Sequence, residues 1–276
     1  MAVSIKPLSA KIGAEVTGAD FSKTVPSADL INIKQGLLRH LVMVIRNQSL
    51  NPEKLLAAVR LFGETMEQHL TDTLMQNHPE IAVLDSSKMP PDKQNRVIPF
   101  GARTWHTDHT NHECPPKYTA LYAVNLPSSG GDTSFANMHF AFASLPQGEQ
   151  ASLQKLQTVN KIEDFGYISA EAQIKFGSLP IHPLIRTHPE TGKKAIYVHP
   201  GKVERIIGQE TEESQAFIRS LLERVITPEN TYRHQWQLGD LLICDNRAVL
   251  HKAHKDCDMS EGRVMHRIIL RGDRPA

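Results

Sequence analysis

Two turn-bearing stretches constrain the fold most, because each sets short apolar runs on either side of a tight reversal. Ile185–His188 and Ala195–Val198 flank Pro189-Glu190-Thr191-Gly192, and Tyr232–Trp236 and Leu241–Cys244 flank Leu238-Gly239-Asp240. Proline presets its own φ and glycine takes positive φ without a Cβ clash, so both segments read as turns. The flanking runs are too short for helices, and the turns are too short for the crossover that parallel strands need. Tyr118–Leu126 is a third such strand, closed by Pro127-Ser128-Ser129-Gly130-Gly131, and Ile81–Leu84 is a short buried one. Helical signals fall between them. Ser27 or Asp29 opens a helix ending near His40, before the strand Leu41–Ile45. Asn51-Pro52-Glu53 supplies a cap, a first-turn proline and a first-turn acid for a helix to about Leu61. Further helices are expected at about Ala151–Gln157 and Glu212–Ile226. Strand turns with no regular β-α-β rhythm predict an α+β, mainly β chain whose antiparallel or mixed sheet is closed or sandwiched, with helices outside.

A chain of 276 residues, 40% hydrophobic and 22% charged, can bury a substantial core. No repeat or low-complexity linker divides it, so a single domain over residues 1–276 is expected. The stretch Ser86–Arg103, with three prolines, reads as a long loop, and a loop of that length is often a lid over a site. A net charge of +1 gives no reason to expect nucleic acid or an anionic membrane as partner. The N-terminus lacks a signal-peptide apolar run, no segment is apolar enough to span a bilayer, and the three cysteines form no CxxC pair. These features predict a cytoplasmic protein. They leave a homo-oligomer open.

Chemistry concentrates in Thr104-Trp105-His106-Thr107-Asp108-His109. Alternate residues of a strand share a face, so His106 and Asp108 can reach one ion while Thr107 and His109 point away. An imidazole and a carboxylate make two thirds of a 2-His-1-carboxylate triad, which leaves coordination positions open on non-haem Fe(II). HxD alone is weak in a chain with 14 histidines. A third ligand must come from elsewhere. His251 lies just past the strand Leu241–Cys244 and would line the mouth of a barrel, and His254 is its rival three residues on. In Arg263-Val264-Met265-His266-Arg267-Ile268 the period of two puts Arg263, Met265 and Arg267 on one face. Two arginines there suit either a solvent-facing edge or anions, which a guanidinium fork binds through parallel hydrogen bonds. Thr133, after Gly130-Gly131-Asp132, could add a hydroxyl to such a site.

Taken in order, these pieces resemble the TauD/TfdA family of dioxygenases. Ile12–Asp20 looks like the family's N-terminal strand pair, Leu61-Phe62-Gly63-Glu64 its FGE step, and Trp105-His106-Thr107-Asp108 its WHxD. Gly130-Gly131-Asp132-Thr133 is similar to its GGDT, and Ile185–Gly192 to its RTHPxTG hairpin. Asp245-Asn246-Arg247 with His251, then Arg263 and Met265-His266-Arg267, resembles its C-terminal signature.

The resemblance implies a double-stranded β-helix (jelly-roll) core with surrounding helices, and an Fe(II)- and 2-oxoglutarate-dependent dioxygenase using O2. It implies His106, Asp108 and His251 as metal ligands, Arg263 and Thr133 on the distal carboxylate of 2-oxoglutarate, and Arg267 toward an anionic substrate. His69 stands near the place of a substrate-binding histidine, and Asn95 with its loop could cover the site. Related halogenases carry a small residue where Asp108 stands, so hydroxylation is the expected default. The substrate expected is a small organic acid bearing a carboxylate, sulfonate or sulfate. Two rivals are a zinc hydrolase using His106-x-x-His109 and His251-x-x-His254, and a non-catalytic jelly-roll binding module.

Overall fold

The structure is a computed structural model and describes residues 3–68, 71–88, 104–162, 174–254 and 256–276. In chain order the first strands are β1 (Ser4–Pro7), β2 (Ala14–Thr17), β3 (Val42–Ile45), β4 (Leu74–Met75), β5 (His78–Asp85) and β6 (Tyr118–Asn125). Then come β7 (Thr133–Asn137), β8 (Gln157–Asn160), β9 (Ile181–Pro183), β10 (Ile185–Thr187) and β11 (Lys194–Ile196). The last are β12 (Val203–Ile206), β13 (Thr231–His234), β14 (Leu241–Asp245), β15 (Val249–Ala253) and β16 (Val264–Leu270). Among the described residues five helices join them: α1 (Ser27–His40), α2 (Pro52–Arg60), α3 (Met138–Ala143), α4 (Gln147–Leu153) and α5 (Thr211–Val225).

The major sheet runs β1-β2-β3-β14-β6-β16-β5-β4, antiparallel except for the parallel pair β2–β3. Its alternating pattern serves two cores. On one face Met43, Ile45, Leu241, Ile243 and Ala120 meet Ile33 and Leu37 of α1 and Leu55, Leu56 and Val59 of α2. On the other, Val42, Val44, Leu242 and Cys244 meet Phe135 of β7 and Val249 of β15. That second layer is the minor sheet β13-β7-β15, extended by a bridge between His106 and His251. The two sheets close over a shared core with helices outside, the mixed, mainly β architecture expected from the turns.

Of the two start signals read from sequence, the one at Asn51 is a real cap, whereas α1 begins at Ser27 after Pro26 with no side-chain cap. Asn51 accepts a hydrogen bond from the Lys54 amide at the start of α2. At the end of α1, Leu41 takes the left-handed conformation and its amide donates to the Leu37 carbonyl.

Several expectations need correction. The chain around residue 150 forms α4 at Gln147–Leu153, and Gln157 already begins β8, so the helix lies earlier than 151–157. The short α3 carries no sequence expectation; Asn137 caps it by accepting from the Phe140 amide. The segments around Leu238-Gly239-Asp240 do not pair with each other. β13 pairs with β7 while β14 pairs with β3 and β6, so the turn carries the chain from one sheet to the other. Of the loop 86–103, Ser86–Lys88 forms a single 3-10 turn, and 89–103 lies outside the described residues. Among the described residues no helix is long and apolar enough to cross a membrane.

Candidate active site

His106 and His251 sit directly opposite each other in an antiparallel bridge, each amide donating to the other's carbonyl at 3.0 and 2.7 Å. Opposed residues of such a pair project to one face, and the two rings lie 4.2 Å apart between centroids. His251 is thus at the centre of β15, not beyond a strand end. Asp108, two residues after His106, turns to the same point. Its Oδ1 is 3.8 Å from His106 Nε2 and 4.0 Å from His251 Nε2, and the three ligand atoms lie within 4.8 Å of one another. All three side chains are buried.

Neighbouring groups fix which atoms face inward. His106 Nδ1 is 2.9 Å from the Thr104 carbonyl, which makes Nδ1 the protonated nitrogen and leaves the Nε2 lone pair free. Thr119 on β6 donates to Asp108 Oδ2 at 2.5 Å and itself accepts from Asn246 Nδ2 at 2.8 Å. That chain of bonds occupies one carboxylate oxygen and leaves Oδ1 to the centre. Burial pushes His106 below the usual imidazole range, and burial with His106 alongside pushes His251 down to about 3, so both rings are neutral at pH 7. Burial works in the opposite direction on Asp108. His251, Arg267, His106 and the Thr119 hydroxyl outweigh it and hold the carboxyl well below its ordinary range. Two neutral imidazole nitrogens and one carboxylate oxygen, converging from one side, are the donor set that suits non-haem Fe(II) with open positions.

Two arginines stand at this end of the major sheet: Arg263, just before β16, and Arg267 within it, the latter interacting with Asp108. Arg263 is 8% exposed, donates from Nε to the Gly131 carbonyl at 2.9 Å, and has its Cζ 5.9 Å from the Trp236 ring centroid. Trp236 Nε1 in turn donates to Thr133 Oγ1 at 3.0 Å. Arg263 and Thr133 therefore both border the Trp236 indole. Gly131 permits it, since a Cβ there would stand 3.2 Å from Arg263 Cδ. Among the described residues Arg263 forms no ion pair, and burial lowers its pKa to about 10, so it remains cationic at pH 7. Arg267 opposes Leu121 across the β16–β6 register, on the same face as Thr119. Its Nε donates to Gln68 Oε1 at 3.0 Å, while its Nη2 is buried with no hydrogen-bond partner among the described residues.

His254 pairs with Ser134 at 2.7 Å and is absent from the ion-binding group, and His109 packs edge-on against His112. The zinc arrangement that needed both is not formed. His69 and Asn95 fall outside the described residues. Sequence reasoning assigned no role to Thr119, Asn246, Gln68 or Trp236. Thr119, a hydroxyl in a buried strand, was the one visible hint. The other partnerships join residues more than a hundred positions apart.

The RTHPxTG-like hairpin and the Asp245-Asn246-Arg247 turn meet in a buried network. Asp245 accepts from His188 Nε2 at 3.0 Å and from Arg247 Nε and Nη2 at 2.8 and 2.7 Å. Arg247 also reaches Glu190 at 2.6 Å and the Tyr118 hydroxyl at 3.0 Å. The network clamps β10 and β11 to the turn that leads into β15, and so sets the position of His251.

The profile described as "Taurine catabolism dioxygenase TauD, TfdA family" matches residues 4–269. The chain is 31% identical to an alpha-ketoglutarate-dependent sulfate ester dioxygenase of Pseudomonas putida, covering 99% of this chain and 91% of that protein. It is 30% identical to pentalenolactone F synthase of Streptomyces avermitilis, covering 96% and 92% respectively. The crystal structure of a taurine dioxygenase from Burkholderia xenovorans superposes with a TM-score of 0.82 at 31% identity, over 100% of this chain and 91% of that one. With a jelly-roll core and a His-Asp-His group able to hold a metal ion, the chain belongs to the TauD/TfdA family of Fe(II)- and 2-oxoglutarate-dependent dioxygenases.

Proposed function

We propose that this enzyme hydroxylates a C–H bond of a small organic acid bearing a carboxylate, sulfonate or sulfate. The balance is one 2-oxoglutarate, one O2 and one substrate C–H converted to succinate, CO2 and the substrate C–OH. The observation that carries the substrate class is Arg267, a cation beside the triad with a buried Nη2 that no described group satisfies. A buried guanidinium nitrogen without an acceptor is costly, and an incoming oxyanion supplies the acceptor that Nη2 lacks.

In this reading His106, Asp108 and His251 hold Fe(II), which with 2-oxoglutarate and O2 supplies the oxidising chemistry. Arg263 and Thr133 receive the distal carboxylate, one as a fixed cation and the other as a hydroxyl donor. Thr119 keeps Asp108 oriented, and the buried walls around the triad exclude water from the reacting groups. Asp108 occupies the position that a halogenase leaves small, which favours hydroxylation. A sulfate ester dioxygenase among the relatives is consistent with an anionic substrate. Three free cysteines suit a reduced, cytoplasmic setting.

The test is succinate formation under O2 with a panel of alkyl sulfates, sulfonates, phenoxy acids and their neutral amide or alcohol analogues. Anionic members stimulate turnover, and Arg267→Leu raises the KM of the best of them by about 100-fold, the worth of a charged hydrogen bond. A panel in which only neutral or cationic compounds stimulate succinate release contradicts the assignment.

A further inference from the structure

We infer that Trp236 is a positioning residue for 2-oxoglutarate, because its indole N–H fixes the hydrogen-bond polarity of the Thr133 hydroxyl. The inference rests on Arg263 and Thr133 receiving the distal carboxylate.

A threonine hydroxyl has one proton and can either donate or accept toward a neighbour. An indole N–H can only donate. With Trp236 Nε1 at 3.0 Å, Thr133 Oγ1 is the acceptor in that bond, and its own proton is left for another partner. The carboxylate expected beside Arg263 is acceptor-only, so the proton has the right partner there. Without the indole, the hydroxyl could turn its lone pairs toward the anion, a repulsive arrangement. The same ring stands near the Arg263 guanidinium, so one side chain touches both halves of the pocket.

The indole is itself held. His234 meets the Trp236 ring edge-on, with centroids 4.5 Å apart and planes at 87°. His234 Nε2 lies 3.0 Å from Asp240 Oδ2 and its Nδ1 lies 2.9 Å from the Tyr232 hydroxyl. Asp240 also accepts from Arg46 at 2.6 Å and from the Gln237 amide at 2.9 Å, next to Trp236 in sequence. This buried group stands apart from the metal ligands and has no part in the chemistry otherwise. Its arrangement makes sense as a support that keeps one tryptophan from rotating.

The test is a double-mutant cycle on 2-oxoglutarate affinity, read anaerobically from the visible charge-transfer band of the Fe(II) complex. Trp236→Phe keeps a ring and removes the donor. Thr133→Val removes the hydroxyl. Each single variant weakens 2-oxoglutarate binding about tenfold, and the double variant is no weaker than Thr133→Val alone. Thr133→Ser, which keeps the hydroxyl, stays sensitive to Trp236→Phe. Should Trp236→Phe fold poorly, benzothienylalanine placed at 236 keeps the bicyclic shape and deletes only the N–H, with the same tenfold loss expected. Wild-type affinity in the N–H-deleted protein, or losses that simply add in the double variant, overturns the inference. A wild-type protein with no band at all defeats the underlying cosubstrate site instead, so the two failures are distinguishable.

Discussion

At the scale of single residues, the centre depends on groups that orient the ligands as much as on the ligands. Thr119 is the clearest case, because its hydroxyl decides which oxygen of Asp108 faces the two Nε2 atoms. Thr119→Val removes that bond while keeping the shape of the side chain. It is expected to lower Co(II) or Fe(II) affinity by about 10- to 100-fold, the usual effect of losing an orienting partner, with little change in fold. Equilibrium metal titration checks it, and unchanged affinity would assign Thr119 to packing alone. That His106 and Asp108 come together was legible because two-residue spacing is a local rule, although residue 106 forms an isolated bridge and residue 108 a bend where one continuous strand was expected. Spacing alone could not choose His251 over His254, a choice only the family resemblance made, since it requires knowing that residue 251 bridges residue 106. Gln68 and Trp236 were invisible for the same reason: their partners, Arg267 and Thr133, arrive from distant strands.

At the scale of elements, the turn from β14 to β15 and the β10–β11 hairpin behave as one clamp. Burial raises the Asp245 carboxyl, but hydrogen bonds from Arg247 and His188 prevail and hold it well below the ordinary carboxylate range. A carboxylate whose folded pKa is depressed stabilises the protein above its unfolded value of about 3.9, and that stability is lost as pH falls toward the folded value. Asp245→Asn is therefore expected to cost about 3–5 kcal/mol at pH 7, because it removes the charge facing buried Arg247 and turns one of the oxygens that accept from Arg247 and His188 into a donor. The gap from wild type narrows below about pH 4, where wild type begins to lose the same interaction. Thermal melts across pH test this, and a gap independent of pH would show that charge is not the cause. Gly130 is a second structural demand, with φ of 73°, and a Cβ there would stand only 2.1 Å from the Asp256 carbonyl oxygen. Gly130→Ala should cost about 1–3 kcal/mol and weaken 2-oxoglutarate binding by shifting the turn that precedes Thr133. The strand runs could be read from their turns and α2 from its cap, and α1 and α5 form close to where helices were expected. The crossing at Leu238-Gly239-Asp240 could not, because a tight turn looks alike whether its strands pair or diverge.

At the scale of the whole molecule, the two sheets bring together residues from the middle and the last third of the chain. His106 and Asp108 precede β6, His251 is in β15, Arg263 stands just before β16 and Arg267 in its middle. Ligands that bind only this assembled site stabilise the fold by mass action, by about 2.7 kcal/mol at a hundred times Kd. Fe(II) with 2-oxoglutarate should accordingly raise the melting temperature under anaerobic conditions, and should do so far less in His251→Ala. The closed sandwich was foreshadowed by the turn-bounded apolar runs, but the pairing order of its strands is a property of long-range contacts that no local pattern contains.

The most direct measurement of the central claim is anaerobic addition of Fe(II) and 2-oxoglutarate to wild type and to His251→Ala, monitored for the weak visible charge-transfer band of chelated 2-oxoglutarate. A band is expected in wild type and is lost in His251→Ala while the variant remains folded. Folded wild type without a band, or a band that survives in His251→Ala, would contradict the assignment of His106, Asp108 and His251 as the metal site.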